Sequence, residues 1–93
     1  MKIKSGFEMV EIMNDWIVVP IGENMMKVEG LFALSESSAF LWKQLNEENS
    51  YDNLVSLFLT EYEIDRSTAE LDVKDFLEGL NKIGILDDFV DVH

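Results

Sequence analysis

Two segments decide most of what this chain can fold into. Gly30-Leu-Phe-Ala-Leu-Ser-Glu-Ser-Ser-Ala-Phe-Leu-Trp42 reads as a strand running directly into a capped helix. Ser35 is the cap: its hydroxyl can accept from an orphan amide near Ser38. Asp72-Val-Lys-Asp-Phe-Leu-Glu-Gly-Leu80 belongs to an amphipathic helix closed by Asn81-Lys-Ile-Gly84. Along it Ala69, Val73, Phe76, Leu77, Leu80 and Ile83 fall on one stripe at the helical period. Gly84 suits the left-handed position that ends a helix.

The flanking sequence supplies the rest of an α+β domain. Residues 7–13 and 16–20 read as two strands joined by a turn at Asn14-Asp15, a hairpin whose second strand is rich in β-branched residues. Pro20 lacks a ladder donor and belongs at a strand end or edge. Residues 25–34 are either a second small hairpin or one bent strand with a bulge at Gly30. Between the two defining segments, Ser50 caps a middle helix with Tyr51, Leu54, Val55, Phe58 and Tyr62 on one face. Asp65 or Ser67 caps the last helix. Strands followed by three helices predict helices packed on one face of a small antiparallel sheet of three, or four, strands. Residues 1–86 form this domain, and residues 87–93 an acidic, loose tail.

Composition removes several function classes. At 93 residues there is room for one domain, which buries about 60–65% of its unfolded surface and encloses no deep cavity. There is no cysteine, and the one histidine is His93, so thiolate, iron–sulfur and histidine metal sites are not expected. No cofactor is expected either. Glu47/Glu48 and Asp87/Asp88 are adjacent carboxylates with no His, Cys or Lys cluster beside them, a poor basis for acid–base catalysis. The N-terminus has lysines but no apolar run before Glu8, and nothing approaches the ~20 apolar residues of a membrane span. A cytoplasmic protein without a membrane partner is expected.

The net charge is −12, and residues 35–93 hold 14 acidic against 4 basic side chains. Such a surface repels polyanions over about a Debye length, ~8 Å at physiological salt, and attracts basic peptides.

Taken in order, Leu34-Ser-Glu-Ser-Ser-Ala39, Trp42-Lys-Gln-Leu45, Asp72-Val-Lys-Asp-Phe76-Leu-Glu-Gly-Leu80 and Gly84-Ile-Leu86 resemble the PqqD family, named for the peptide chaperone of pyrroloquinoline quinone biosynthesis. The similarity runs over residues 7–87. Leu34, Trp42, Asp72, Val73, Phe76, Leu77, Leu80 and Gly84 match the family pattern; Ser35 replaces its usual Asn, and Ser37 stands where Thr is usual. The resemblance implies a winged-helix-like module, the recognition element of pathways that modify ribosomally made peptides. It implies that the leader segment of a precursor peptide adds as an antiparallel strand beside the third strand and third helix. The core peptide then goes to a separate enzyme, often a radical S-adenosylmethionine maturase.

On that reading the peptide-facing candidates are Met25, Met26, Val28, Leu31, Phe32 and Ala33 on the strand. Alternation permits only about half of them to face the groove. Asp72, Asp75, Phe76, Gly79 and Ile83 are the candidates on the helix. Phe76 can serve core and groove together. Asp72 is either a peptide contact or a hydrogen-bond acceptor near the helix start, and Gly79 implies either close backbone approach or mere tolerance. Leu71 points away from the apolar stripe and is a candidate enzyme-docking position. The competing functions are a winged-helix DNA-binding regulator, which needs a basic recognition helix, and an adaptor that docks an enzyme without binding peptide. The last helix sets Asp65, Glu70, Asp72, Asp75 and Glu78 against Arg66, Lys74 and Lys82, so no nucleic-acid partner is expected.

Overall fold

The turn of the first hairpin sets the bonding pattern of the whole sheet. The computed structural model describes residues 1–22 and 32–89. After a two-residue strand β1 (Lys2–Ile3), β2 (Phe7–Ile12) pairs antiparallel with β3 (Asp15–Pro20). The two residues between them, Met13 and Asn14, have φ of 51° and 72°. Two successive positive φ values are the signature of a type I′ turn, whose twist matches that of the flanking strands. The turn thus sits one residue earlier than the Asn14-Asp15 expected. Asn14 tolerates the left-handed region and Asp15 already pairs with Ile12.

A two-residue loop makes Ile12 and Asp15 a hydrogen-bonded pair, and such pairs alternate along an antiparallel ladder. Val10–Ile17 and Glu8–Val19 are the next in the series, which the bond from Ile21 N–H to Gly6 O (2.8 Å) continues. Ile17 therefore spends its backbone groups on β2. Those of Trp16 and Val18 face the other way, toward β4 (Phe32–Leu34), where they pair with Leu34 and Phe32. The sheet order is β2-β3-β4.

The same alternation sorts side chains. Phe7, Met9, Val18, Phe32 and Leu34 share the inner face and pack on the core. Val10, Ile12, Ile17, Val19 and Ala33 share the outer one. Against the inner face lie α1 (Glu36–Gln44), α2 (Tyr51–Glu61) and α3 (Arg66–Ile83). Ala39, Leu41, Trp42, Leu54, Val55, Phe58, Ala69, Val73, Leu77 and Leu80, all from the periodic positions, are buried.

Each helix begins on a side-chain cap: Ser35 accepts from Ser38 N, Ser50 from Asn53 N and Asp65 from Thr68 N. For α3 the choice between Asp65 and Ser67 falls to Asp65, with the Ser67 hydroxyl donating to its second oxygen at 2.9 Å. Hydrogen bonds from Thr68 and then Ser67 hold the Asp65 carboxyl below the ordinary aspartate range. Its contribution to stability is present above the unfolded-state pKa and is lost as pH falls through the depressed folded value. Gly84 ends α3 at φ 88°, its N–H bonded to Leu80 O.

One feature escapes the sequence pattern. Strand β1 pairs with β5 (Leu86–Asp87) in a separate two-stranded ladder, Ile3 opposite Leu86 and Lys2 opposite Asp87. Ile3 N donates to Leu45 O and Lys4 N to Ile85 O, both at 2.9 Å, so the N-terminal segment ties the end of α1 to the end of α3. Of the expected acidic tail, Asp87 takes part in this ladder, and residues 90–93 lie outside the described ones. No helix among the described residues is long and apolar enough to cross a membrane.

The ladder yields a stability test. Ile3 is 6% exposed within the core cluster, so Ile3→Ala should cost about 2–4 kcal/mol in urea unfolding with little change in m. Lys2→Ala, at an exposed position, should stay within about 0.5 kcal/mol of the parent.

Candidate functional site

Strand β4 is the third strand of the sheet and, among the described residues, one of its two edges, β2 being the other. Since Phe32 and Leu34 bond inward to Val18 and Trp16, the N–H and C=O of Ala33 between them point away from the sheet. No described residue pairs with them. An edge of this kind is a template for another strand.

Where β4 hands over to α1, a groove of about 400 Å³ opens toward α3. Its floor is Leu41, Phe58 and Phe76. Ser35, Ser37 and Ser38 form one wall, and Asp72 and Asp75 the other. The three hydroxyls are knit together at the α1 cap: Ser35 Oγ lies 3.0 Å from Ser38 Oγ and 3.3 Å from Ser37 Oγ. The aspartates, by contrast, are exposed and make no hydrogen bond or ion pair among the described residues. Helix capping falls to Asp65, and Asp72 lies more than a turn into α3. Phe76 is half-buried, packed on the core from one side and lining the groove from the other.

Gly79 and Ile83 continue the groove-facing side of α3 by one and two turns beyond Asp75 and Phe76. They do not line the groove itself. Ile83 is 48% exposed, although its stripe is otherwise turned inward. A Cβ built on Gly79 would meet nothing within 4 Å, so the chain's own packing does not require glycine there. Leu71 is 59% exposed, opposite the buried stripe of α3.

Of the candidates read from sequence, the structure thus gathers Asp72, Asp75 and Phe76 in one groove, with Phe32 and Ala33 on the adjoining strand. Met25, Met26, Val28 and Leu31 lie outside the described residues, as does the choice between a hairpin and a bulged strand before Phe32. Ser35, Ser37, Ser38, Leu41 and Phe58 were not anticipated as groove residues. Their capping and core roles are visible in sequence, but the space between α1 and α3 arises only from tertiary packing.

A second cleft, of about 580 Å³, lies on the other side of the β4–α1 junction. Trp16, Phe40 and Tyr62 line it together with Glu36 and Glu61. Burial, then Glu36 and Glu61, push the Tyr62 phenol upward. Lys43 Nζ sits 4.2 Å from the Trp16 ring centroid. No polar or charged side chain is buried among the described residues, and no group of three or more His, Cys, Asp or Glu is placed to hold a metal ion.

Comparisons with known proteins bear on this geometry. No curated protein matches the sequence. The fold superposes on the solved structure "TbiB1 in Complex with the TbiA(beta) Leader Peptide" with a TM-score of 0.79 and 25% identity, covering 98% of this chain and 100% of that one. It also superposes on "Lasso peptide synthetase B1 complexed with the leader peptide" with a TM-score of 0.71 over 90% of this chain and 93% of that one. At 17% identity that likeness concerns the fold alone. The family model described as "Coenzyme PQQ synthesis protein D (PqqD)" matches residues 24–86, a span that includes β4, all three helices and every groove residue. By that match the chain belongs to the PqqD family.

Proposed function

We propose that this protein binds the leader segment of a ribosomally made precursor peptide as a strand added to β4, and presents the peptide to a separate modifying enzyme. The observation that carries this reading is the outward N–H and C=O of Ala33 beside a groove with an apolar floor. Backbone bonds at the edge supply affinity, and the groove supplies selectivity. The similar chain of known structure is in complex with a leader peptide, which supports the same use of this fold here. The chain acts by binding and has no catalytic step of its own. A cytoplasmic location accords with such a role.

The modifying enzyme is the less constrained partner. A radical S-adenosylmethionine maturase is proposed on the resemblance to PqqD proteins alone. Docking surfaces for it are available at Leu71 and on the outer sheet face, where Ile12 is 50% exposed.

A DNA-binding role is disfavoured by α3 itself. Arg66 lies 3.4 Å from Glu70 and Lys74 lies 3.8 Å from Glu78, so two of its three cations already face carboxylates on their own helix. DNA binding needs cations that neutralise phosphates and so displace the counterions condensed on the duplex. A gel shift with random duplex should show no retardation even at low salt.

Labelled peptides covering the short reading frames encoded beside this chain test the main reading by fluorescence anisotropy. One of them should bind with micromolar or tighter affinity and shift the resonances of residues 32–34 and 72–83. If no such peptide moves those residues, the reading fails. Ala33→Pro keeps the bonds of Phe32 and Leu34 to β3 but deletes the outward donor. It should weaken binding about three- to tenfold, as the loss of one hydrogen bond requires. Gly79→Ala should stabilise the free chain by about 0.4–1 kcal/mol in thermal unfolding, since the space is open. Gly79→Leu should weaken peptide binding by obstructing the continuation of the groove.

A further inference from the structure

The register of β4 specifies more than the presence of a peptide strand. A peptide residue bonded to the outward N–H and C=O of Ala33 places its side chain on the outer face, with that of Ala33. Its two neighbours face inward, one opposite Leu34 and the other opposite Phe32. Every ladder in this sheet is antiparallel. In the same sense, the neighbour opposite Leu34 precedes the Ala33 partner in the peptide, and the neighbour opposite Phe32 follows it.

The position opposite Leu34 adjoins the groove at the β4–α1 junction, since Ser35 is both the next residue and part of its wall. The groove combines two properties. Its floor of Phe58, Phe76 and Leu41 is apolar, and its α3 wall carries two exposed carboxylates without a partner among the described residues. An apolar stem ending in a cation meets both demands: the methylenes cover the aromatic floor while the charged head stays at the wetter rim. The Arg66–Glu70 and Lys74–Glu78 pairs engage two of the three cations of α3 with other carboxylates.

We infer that the groove selects leaders with a lysine or arginine immediately before the residue paired with Ala33, its stem along half-buried Phe76 and its head between Asp72 and Asp75. The residue two places further on, opposite Phe32, is apolar, so the leader carries a basic-x-apolar pattern in the amino-to-carboxyl direction. This inference rests on the leader-binding reading and adds the chemistry and direction of the bound strand.

A display library of short random peptides, selected against the full chain and against Asp72→Asn/Asp75→Asn, tests it. Both aspartates are exposed and have no partner among the described residues, so the double variant should keep the parent's thermal midpoint. The parent should enrich basic-x-apolar peptides and the double variant should not. In an enriched peptide, replacing the basic residue with leucine should lower affinity about tenfold for the parent and less than twofold for the variant. Enriched peptides that protect the Ala33 amide from exchange but carry no fixed basic residue would overturn the inference and leave strand addition standing. A pattern of apolar-x-basic would do the same by showing parallel addition. Should no enriched peptide engage residues 32–34, strand addition itself would fall along with the inference.

Discussion

The odd–even bonding of β3 is the constraint on which the site depends. A two-residue turn at Met13-Asn14 commits Ile17 to β2 and leaves Trp16 and Val18 for β4. Phe32 and Leu34 are thereby consumed, and Ala33 is turned outward. Shifting that two-residue turn by one residue would keep Val18 on the inner face but reverse the assignment, turning the backbone of Ile17 toward β4 and with it the amide of Ala33. The outward amide of Ala33 is thus a consequence of that register.

The helices turn that edge into a site with a shape. Trp42, Leu45, Leu54 and Leu77 are almost completely buried and hold α1, α2 and α3 as one cluster beneath the sheet. Helix α3 is fixed at both ends by local chemistry, the Asp65 carboxylate at its start and left-handed Gly84 at its finish. Its apolar stripe is consequently anchored through Ala69, Val73, Leu77 and Leu80, while one flank is left for other use. On that flank Phe76 is only half-buried, Ile83 is half exposed, a Cβ on Gly79 would meet nothing within 4 Å, and two carboxylates have no partner among the described residues. A helix serving only its own core would gain from filling these positions with alanine or leucine.

The parts legible in the sequence were those whose signals are local. The three helix starts, the end at Gly84, the inward stripe of α3 and the outward Leu71 all follow from capping chemistry and period. So does the strand running into α1 through Leu34-Ser35. The turn register was displaced by one residue because Asn-Asp is a common turn pair, whereas backbone twist selected Met13-Asn14. The β1–β5 ladder was invisible for a different reason. Lys2-Ile3 and Leu86-Asp87 are too short to show any period, and their pairing joins opposite ends of the chain. The groove was half legible: the α3 residues were found from their flank, but Leu41 and Phe58 read only as core, and the serines only as a cap. Distance between α1 and α3 is a property of packing, and no local pattern carries it.

Amide hydrogen exchange at three consecutive residues addresses the central claim most directly. In the free chain the amides of Phe32 and Leu34, bonded to β3, should exchange slowly, and that of Ala33 between them should exchange fast. On adding the cognate precursor peptide, Ala33 should become as protected as its neighbours while theirs change little. An Ala33 amide already protected in the free chain, or one left unprotected in the saturated complex, would contradict the account.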